Sequence, residues 1–281
     1  MKHLIFIALI LWGYIGWAAP IDITEAIATG KIKVLTSYEK LGNNGVILTL
    51  TNLQASPITI VVPAGTLFKS SDEEQELLNI EEQLFVLQQN EQKKVRVGGY
   101  CTQLKRIAPR LDSKFTIGKT KNTLLLAFLE FLKTNQPSKS NYQEAVWALT
   151  DKEPIESIEV KNDADTKLRE FIAKKTNRTN PWYYKQQSVG VTPGRPIERR
   201  TIAVSGHLDI TTTEDTPFRI IVVDLAGKEL QVLNQNNTIE KNVKHSFRFA
   251  LTVQGWQKGK YKILIQKEAD KSTIKAFDFE V

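Results

Sequence analysis

Asn141-Tyr142-Gln143-Glu144-Ala145-Val146-Trp147-Ala148-Leu149-Thr150 is the stretch on which the reading of the chain turns. Asn141 followed three residues later by Glu144 has the spacing of a helix N-cap and the acid that reaches back to it. The spacing predicts a short helix starting here. Residues three and four apart share a helix face, which sets Gln143 beside Val146 and Trp147. A carboxamide would then run along an apolar stripe instead of straight into water. The one cysteine of the chain, Cys101, lies upstream in Gly98-Gly99-Tyr100-Cys101.

Working outward, Asn122-Thr123 can cap a helix over residues 124–133 that is apolar nearly all round, as a central packing helix is. Pro137-Ser138-Lys139-Ser140 separates it from the Gln143 helix, and a third helix is predicted over 164–175, with Leu168, Phe171 and Ile172 as its buried stripe. Ahead of the helices, a Gly42-Asn43-Asn44-Gly45 turn introduces short runs rich in β-branched and large apolar residues at 46–50, 58–62, 76–80, 84–87 and 94–97. That pattern suits an antiparallel sandwich or barrel. The first domain, residues 20–175, thus reads as β-rich with a small helical subdomain, placing Cys101 at a strand end and Gln143 at a helix start.

Residues 176–200 read as a linker punctuated by Pro and Gly. Within it, Pro181-Trp182-Tyr183-Tyr184 is either packing or a flat platform for sugar or peptide. Strand patterns resume at 202–204, 208–210, 218–223, 247–251, 261–265 and 277–279, giving a second, immunoglobulin-like β-sandwich over 201–281. The fold class expected is mainly β: an α+β first domain followed by an all-β one.

The composition narrows the function. The formal charge is +7 over 281 residues, but the positives are scattered, and Lys93-Lys94-Val95-Arg96-Val97 reads as a strand with one solvated face. This argues against a nucleic-acid groove. A basic surface favours a surface-protein or acidic glycan partner, or an anionic envelope. At the amino end, Lys2 and His3 precede an uncharged run from Leu4 to Ala19 that closes on small residues, the pattern of a secretory signal over 1–19. No later stretch is apolar enough for a membrane span, so the expected location is secreted or cell envelope. Past that segment only His207 and His245 remain, both in the last domain. There is no nucleophile elbow, phosphate loop or metal-ligand cluster. No catalytic residue, metal or cofactor is expected, and no enzyme. A lone cysteine in an exported chain excludes an internal disulfide. It leaves a buried inert thiol, an intermolecular bridge or a dedicated reaction.

Tyr100-Cys101 together with Gln143, Ala145, Val146 and Trp147 resembles the thioester domains of bacterial surface adhesins. In that family a Tyr-Cys on one segment is joined to the glutamine of a Gln-x-Ala-Ile/Val-Trp helix start. The resemblance spans roughly residues 22–175. It implies adhesion, with Cys101 and Gln143 as thioester candidates and Tyr100, Tyr142 and Trp147 as the aromatic shield. Val223-Asp224-Leu225-Ala226-Gly227-Lys228 and Gly259-Lys260-Tyr261 are in turn similar to C-terminal sorting domains of the type IX secretion system. The expected function is an exported bacterial surface or envelope protein with a thioester-domain-like adhesion module. The alternative is a non-covalent binding or structural module without the bond.

The export reading is checked by amino-terminal sequencing of the secreted protein, which should begin near Ala19 or Pro20. An intact Met1 would overturn it.

Overall fold

The computed structural model of the protein describes residues 19–70 and 73–281, so the expected signal segment lies, apart from Ala19, outside the described residues. The first domain contains β1 (Ile21–Asp22), α1 (Ile23–Ala28), β2 (Ile32–Tyr38), β3 (Gly42–Asn52), β4 (Ile58–Val62), β5 (Thr66–Lys69), β6 (Leu77–Leu78), β7 (Gln83–Leu87), β8 (Gln92–Cys101) and β9 (Thr116–Lys119). Three helices follow: α2 (Thr123–Thr134), α3 (Tyr142–Thr150) and α4 (Asp163–Thr176). The second domain is all β: β10 (Tyr184–Gly190), β11 (Glu198–Ile210), β12 (Thr216–Val223), β13 (Glu229–Ile239), β14 (His245–Thr252), β15 (Lys260–Lys267) and β16 (Thr273–Glu280). The fold class is mainly β, as the periodicity predicts.

In the first domain a six-stranded sheet, ordered β2-β3-β8-β6-β5-β9, faces a three-stranded sheet, β1-β4-β7. Alternating side chains such as Leu48, Leu50, Ile60, Val62 and Phe68 fill the space between them. The helices form a second core on the outer side, where Phe128, Ala145, Val146, Leu149, Leu168 and Ile172 pack against Leu78 and Tyr100. Helix α3 belongs to both cores, because its Trp147 points into the sandwich while its other apolar residues face α2 and α4. The second domain sets β10-β11-β14 against β13-β12-β15-β16, with Val204, Leu208, Phe218, Val222 and Ile263 between them.

Three strands lack the expected apolar signature. β10 and β13 are mostly exposed and polar, at sheet edges where a ladder of backbone bonds suffices. β9 is four residues long and also at an edge. The stretch read as a linker therefore contains β10, which pairs along β11. Its remaining part is tied to the first domain: Ala108 N–H donates to the Arg195 carbonyl and Gly194 N–H to the Ala108 carbonyl, each at 2.9 Å.

Strand β8 is crowded along both edges. A Cβ at Gly99 would stand 3.0 Å from Val46 Cγ2, and one at Gly98 2.9 Å from Asn79 Oδ1. Asn79 is fully buried and ties three segments together. Its Nδ2 donates to the Glu81 carbonyl at 2.6 Å and the Pro63 carbonyl at 3.1 Å, and its Oδ1 accepts from Gly98 N–H at 3.2 Å. Asn79→Ala strands these buried backbone groups and should lower stability by about 2–4 kcal/mol. A denaturant titration with an unchanged midpoint would contradict this.

Candidate functional site

Helix α3 starts differently from its sequence pattern. A 3-10 turn, Lys139–Asn141, runs directly into it, and Asn141 has helical dihedrals (φ −88°, ψ −10°) with no side-chain cap. The Asn141 side chain has tertiary partners instead: Nδ2 donates to the Glu159 carbonyl at 2.7 Å and Asp165 Oδ1 at 2.9 Å, and Oδ1 accepts from Glu159 N–H at 3.1 Å. Glu144 does not reach back either, because it is paired with Arg199. The helix exists as expected, but burial against α4 and the second domain replaces the local capping box.

The structure brings Cys101 and Gln143 together. Gln143 Oε1 accepts the Cys101 N–H at 3.0 Å, and Gln143 Nε2 donates to the Cys101 carbonyl at 2.9 Å. The register explains why those backbone groups need a side chain. Thr102 N–H donates to the Glu76 carbonyl, so the even residues of β8 turn their polar groups toward β6. Cys101 turns its own toward β3. The last β3 partner of β8 is Gly42, opposite Gly99, because Glu39 and Lys40 fold back onto Gly45. The Gln143 carboxamide occupies the vacated position and pairs as a strand residue would.

The far end of α3 is anchored to the same loop. Asp151, its C-cap residue, accepts Leu104 N–H at 3.1 Å and the Thr150 hydroxyl at 2.8 Å on Oδ2. Asp151 lies just past the motif and carries no signature of its own. Only its place immediately after the helix would have pointed to it.

The side chain of Cys101 is fully buried and shares the sandwich core with Trp147. Burial, reinforced by the nearby Asp151 carboxylate, pushes the thiol pKa well above its ordinary value. Tyr100 and Tyr142 are also buried, with ring centroids 6.0 Å apart, and Tyr142 meets Phe128 edge-on at 6.2 Å. They belong to the helical core, since successive residues of a strand point to opposite faces. The aromatic residues thus lie on two sides of the strand, Trp147 in the core that holds the thiol and the tyrosines across the sheet, while Gln143 itself is half-buried.

Arg199 is the residue that sequence reading missed. It pairs with both Glu144 and Glu153, its guanidinium carbon lies 5.0 Å from the centroid of the Trp147 ring, and its side chain is only 9% exposed. It comes from β11 in the second domain, so it clamps that domain to α3 one residue from Gln143. The only hint was its position in Glu198-Arg199-Arg200 within the presumed linker. Two carboxylates sharing one arginine leave excess negative charge in a buried place. Burial raises the Glu144 pKa to about 7; Arg199 works against the rise, and Glu153 adds to it.

The histidines stand apart from this site. His207 is exposed on β11, and His245 stacks on Phe247 at 5.9 Å. Among the described residues no group of three His, Cys, Asp or Glu side chains is placed to hold a metal ion, and no helix is long and apolar enough to cross a membrane.

No family model matches the chain. No curated protein matches it either. Among solved structures, a β-glucosidase from Kluyveromyces marxianus is 11% identical, over 84% of this chain and 44% of that one, with a TM-score of 0.22. The chain spans less than half the length of that protein, and the score is too low to indicate a common fold.

The raised Glu144 pKa fixes the sign of a pH effect. Between the ordinary value of 4.5 and about 7 the folded state holds the Glu144 proton more tightly than the unfolded chain does. The stability linked to that proton is present at low pH and is lost as pH rises through this window. Urea midpoints should show wild type losing on the order of 2–3 kcal/mol relative to Glu144→Gln between the two ends of the window. Parallel pH profiles for the two proteins would contradict the assignment.

Proposed function

We propose that the chain is an exported bacterial surface or envelope protein whose first domain, residues 20–175, is a thioester-domain-like adhesion module. Cys101 and Gln143 are the pair that joins. The observation carrying this reading is that two residues 42 positions apart meet through two hydrogen bonds, with the thiol sealed from water.

The chemistry requires the Cys101 sulfur, which lies in the sandwich core, to reach the carbon of the amide held at its own backbone. The sulfur of Cys101 attacks the side-chain carbon of Gln143, the C–S bond forms and the C–N bond breaks. The departing amide nitrogen takes up the thiol proton and leaves as ammonia. The Cys101 N–H, already 3.0 Å from Oε1, is placed to stabilise the negative charge that gathers on that oxygen during attack. The resulting acyl group survives only while water is excluded, which is the part given to Trp147, Tyr100 and Tyr142. An amine on a partner surface then attacks the acyl carbon, an amide forms, and the thiol is released. The event is single-use attachment, without turnover. The second sandwich is assigned to display or sorting, in keeping with its Asp224–Lys228 turn, where Asp224 Oδ1 accepts Lys228 N–H at 2.9 Å.

A second reading has its own support. Both polar atoms of the Gln143 amide are already satisfied by the Cys101 backbone, and a thiol whose pKa is raised by burial is a poor nucleophile. In that case Gln143 is a strand-edge mimic, Cys101 is core, and the domain binds without a covalent bond.

Intact mass separates the two. With the bond, the wild-type protein should be lighter by one ammonia, Cys101→Ala should restore the full calculated mass, and methylamine should add at Gln143 while freeing the thiol. A full wild-type mass with a titratable Cys101 on unfolding would rule out the covalent mechanism and leave the non-covalent one.

A further inference from the structure

A second feature, independent of the Cys101–Gln143 pair, lies where the start of α4 faces the β11–β14 edge of the second sandwich. A cleft of about 570 Å³ opens there, within the span of small-ligand sites of about 300–1,000 Å³. Arg169, from α4, lines it. This residue is only 5% exposed, and among the described residues no carboxylate comes within 4.0 Å of its guanidinium. One nitrogen, Nη2, donates to the Pro181 carbonyl, whereas Nε is buried without a partner. Burial pulls its pKa below the ordinary arginine value, despite the more distant Glu156. A buried cation without a counterion is costly unless something else pairs with it.

The rim adds to the imbalance. Arg248 is exposed on β14, directly across from His207, and has no carboxylate partner among the described residues. Lys161 also lines the cleft but is paired with Glu159 at 2.9 Å. Three Lys or Arg side chains therefore face one carboxylate.

The wall is aromatic and fixed. Trp182 is wedged between the two sheets of the second sandwich, with ring centroids 5.7 Å from Phe249 and 5.2 Å from Phe277, and its Nε1 donates to the Asp278 carbonyl at 2.8 Å. Gly206 makes room for it, since a Cβ there would stand 3.2 Å from the indole. The ring is nevertheless 37% exposed, and with Tyr184 it lines the cleft. Of the two readings of the Trp182 segment, packing explains how the ring is held but not why part of it stays open in a cleft that a buried arginine also lines.

We propose that this cleft binds carboxylate-bearing sugar units of an acidic polysaccharide. The carboxylate is taken by Arg169 and Arg248 through charge-assisted bonds. The sugar ring lies against the aromatic wall, with its apolar C–H face toward the rings and its hydroxyl edge toward solvent and His207. Among the described residues Val160 is the sole aliphatic one lining the cleft, so an acidic peptide would find no pocket for apolar side chains.

The test is calorimetric titration of the full mature protein with trigalacturonate, its methyl ester and hexaglutamate. Trigalacturonate should bind, with the ester and the peptide at least about tenfold weaker. Arg248→Gln, at an exposed position, should weaken trigalacturonate binding about tenfold. Arg169→Gln should abolish it while the circular dichroism spectrum is retained; if that variant does not fold, the Arg248→Gln result stands alone. Cys101→Ala should leave binding unchanged, which separates this site from the thioester reading. Absence of trigalacturonate binding, equal affinity for acid and ester, tighter binding of hexaglutamate, or indifference to Arg248→Gln would each overturn the proposal.

Discussion

The first domain depends on how an interrupted ladder is completed. Strand β8 loses its β3 neighbour just before Cys101, leaving an N–H and a carbonyl that cannot stay unpaired inside the protein. A glutamine from a helix is one of the few side chains that offers a donor and an acceptor in one plane at the spacing of a peptide. Once Gln143 fills that gap and Asp151 holds Leu104, the position and rotation of α3 are fixed relative to the sheet. Trp147 then points into the sandwich, and the remaining apolar positions of α3 meet α2 and α4. The helical layer is placed by two polar contacts before any of its packing is counted.

The same helix sets the relation between the domains. Glu144 lies next to Gln143 and points toward β11, where Arg199 meets it and Glu153 while its guanidinium covers Trp147. A buried arginine with two acids stabilises little in itself, because each charge has been taken out of water. Its effect is on specificity: a docking that kept these side chains buried but apart would leave them without partners. Lys185 and Glu156, both largely buried and 3.1 Å apart, impose the same constraint a short distance away.

Much of this was legible in the residues. Alternating runs such as Ile58–Val62 specify element type because burial on one face leaves a period behind. The all-round apolar pattern of α2 marks a helix but not the central one expected, since only Leu125, Phe128 and Leu129 are buried and Leu126 is exposed. The meeting of Cys101 with Gln143 was likewise visible as a motif. What was not legible depends on partners distant in sequence. β10 and β13 are held by backbone ladders, which leave no apolar period. Asn141 has the spacing of a cap, yet binds Glu159 and Asp165 across the helical layer. Arg199 has a surface composition and a buried location, because its counter-charges lie 55 and 46 residues earlier.

The order of the large sheet also determines how the molecule carries load. Strand β8 is third in a row of six, paired with β3 from Gln92 to Gly99 and with the two residues of β6 at Tyr100 and Cys101. A pull on the second sandwich reaches the first along the chain through α4 and, in parallel, through Arg199 to α3. From α3 it passes by way of Gln143 and Asp151 to the end of β8 and the loop beyond. Tension thus enters the sheet at an interior strand, at the end where it pairs with β6 and just past its last pair with β3. The edge strands β2 and β9, which a pull would peel away one bond at a time, stand outside this force path.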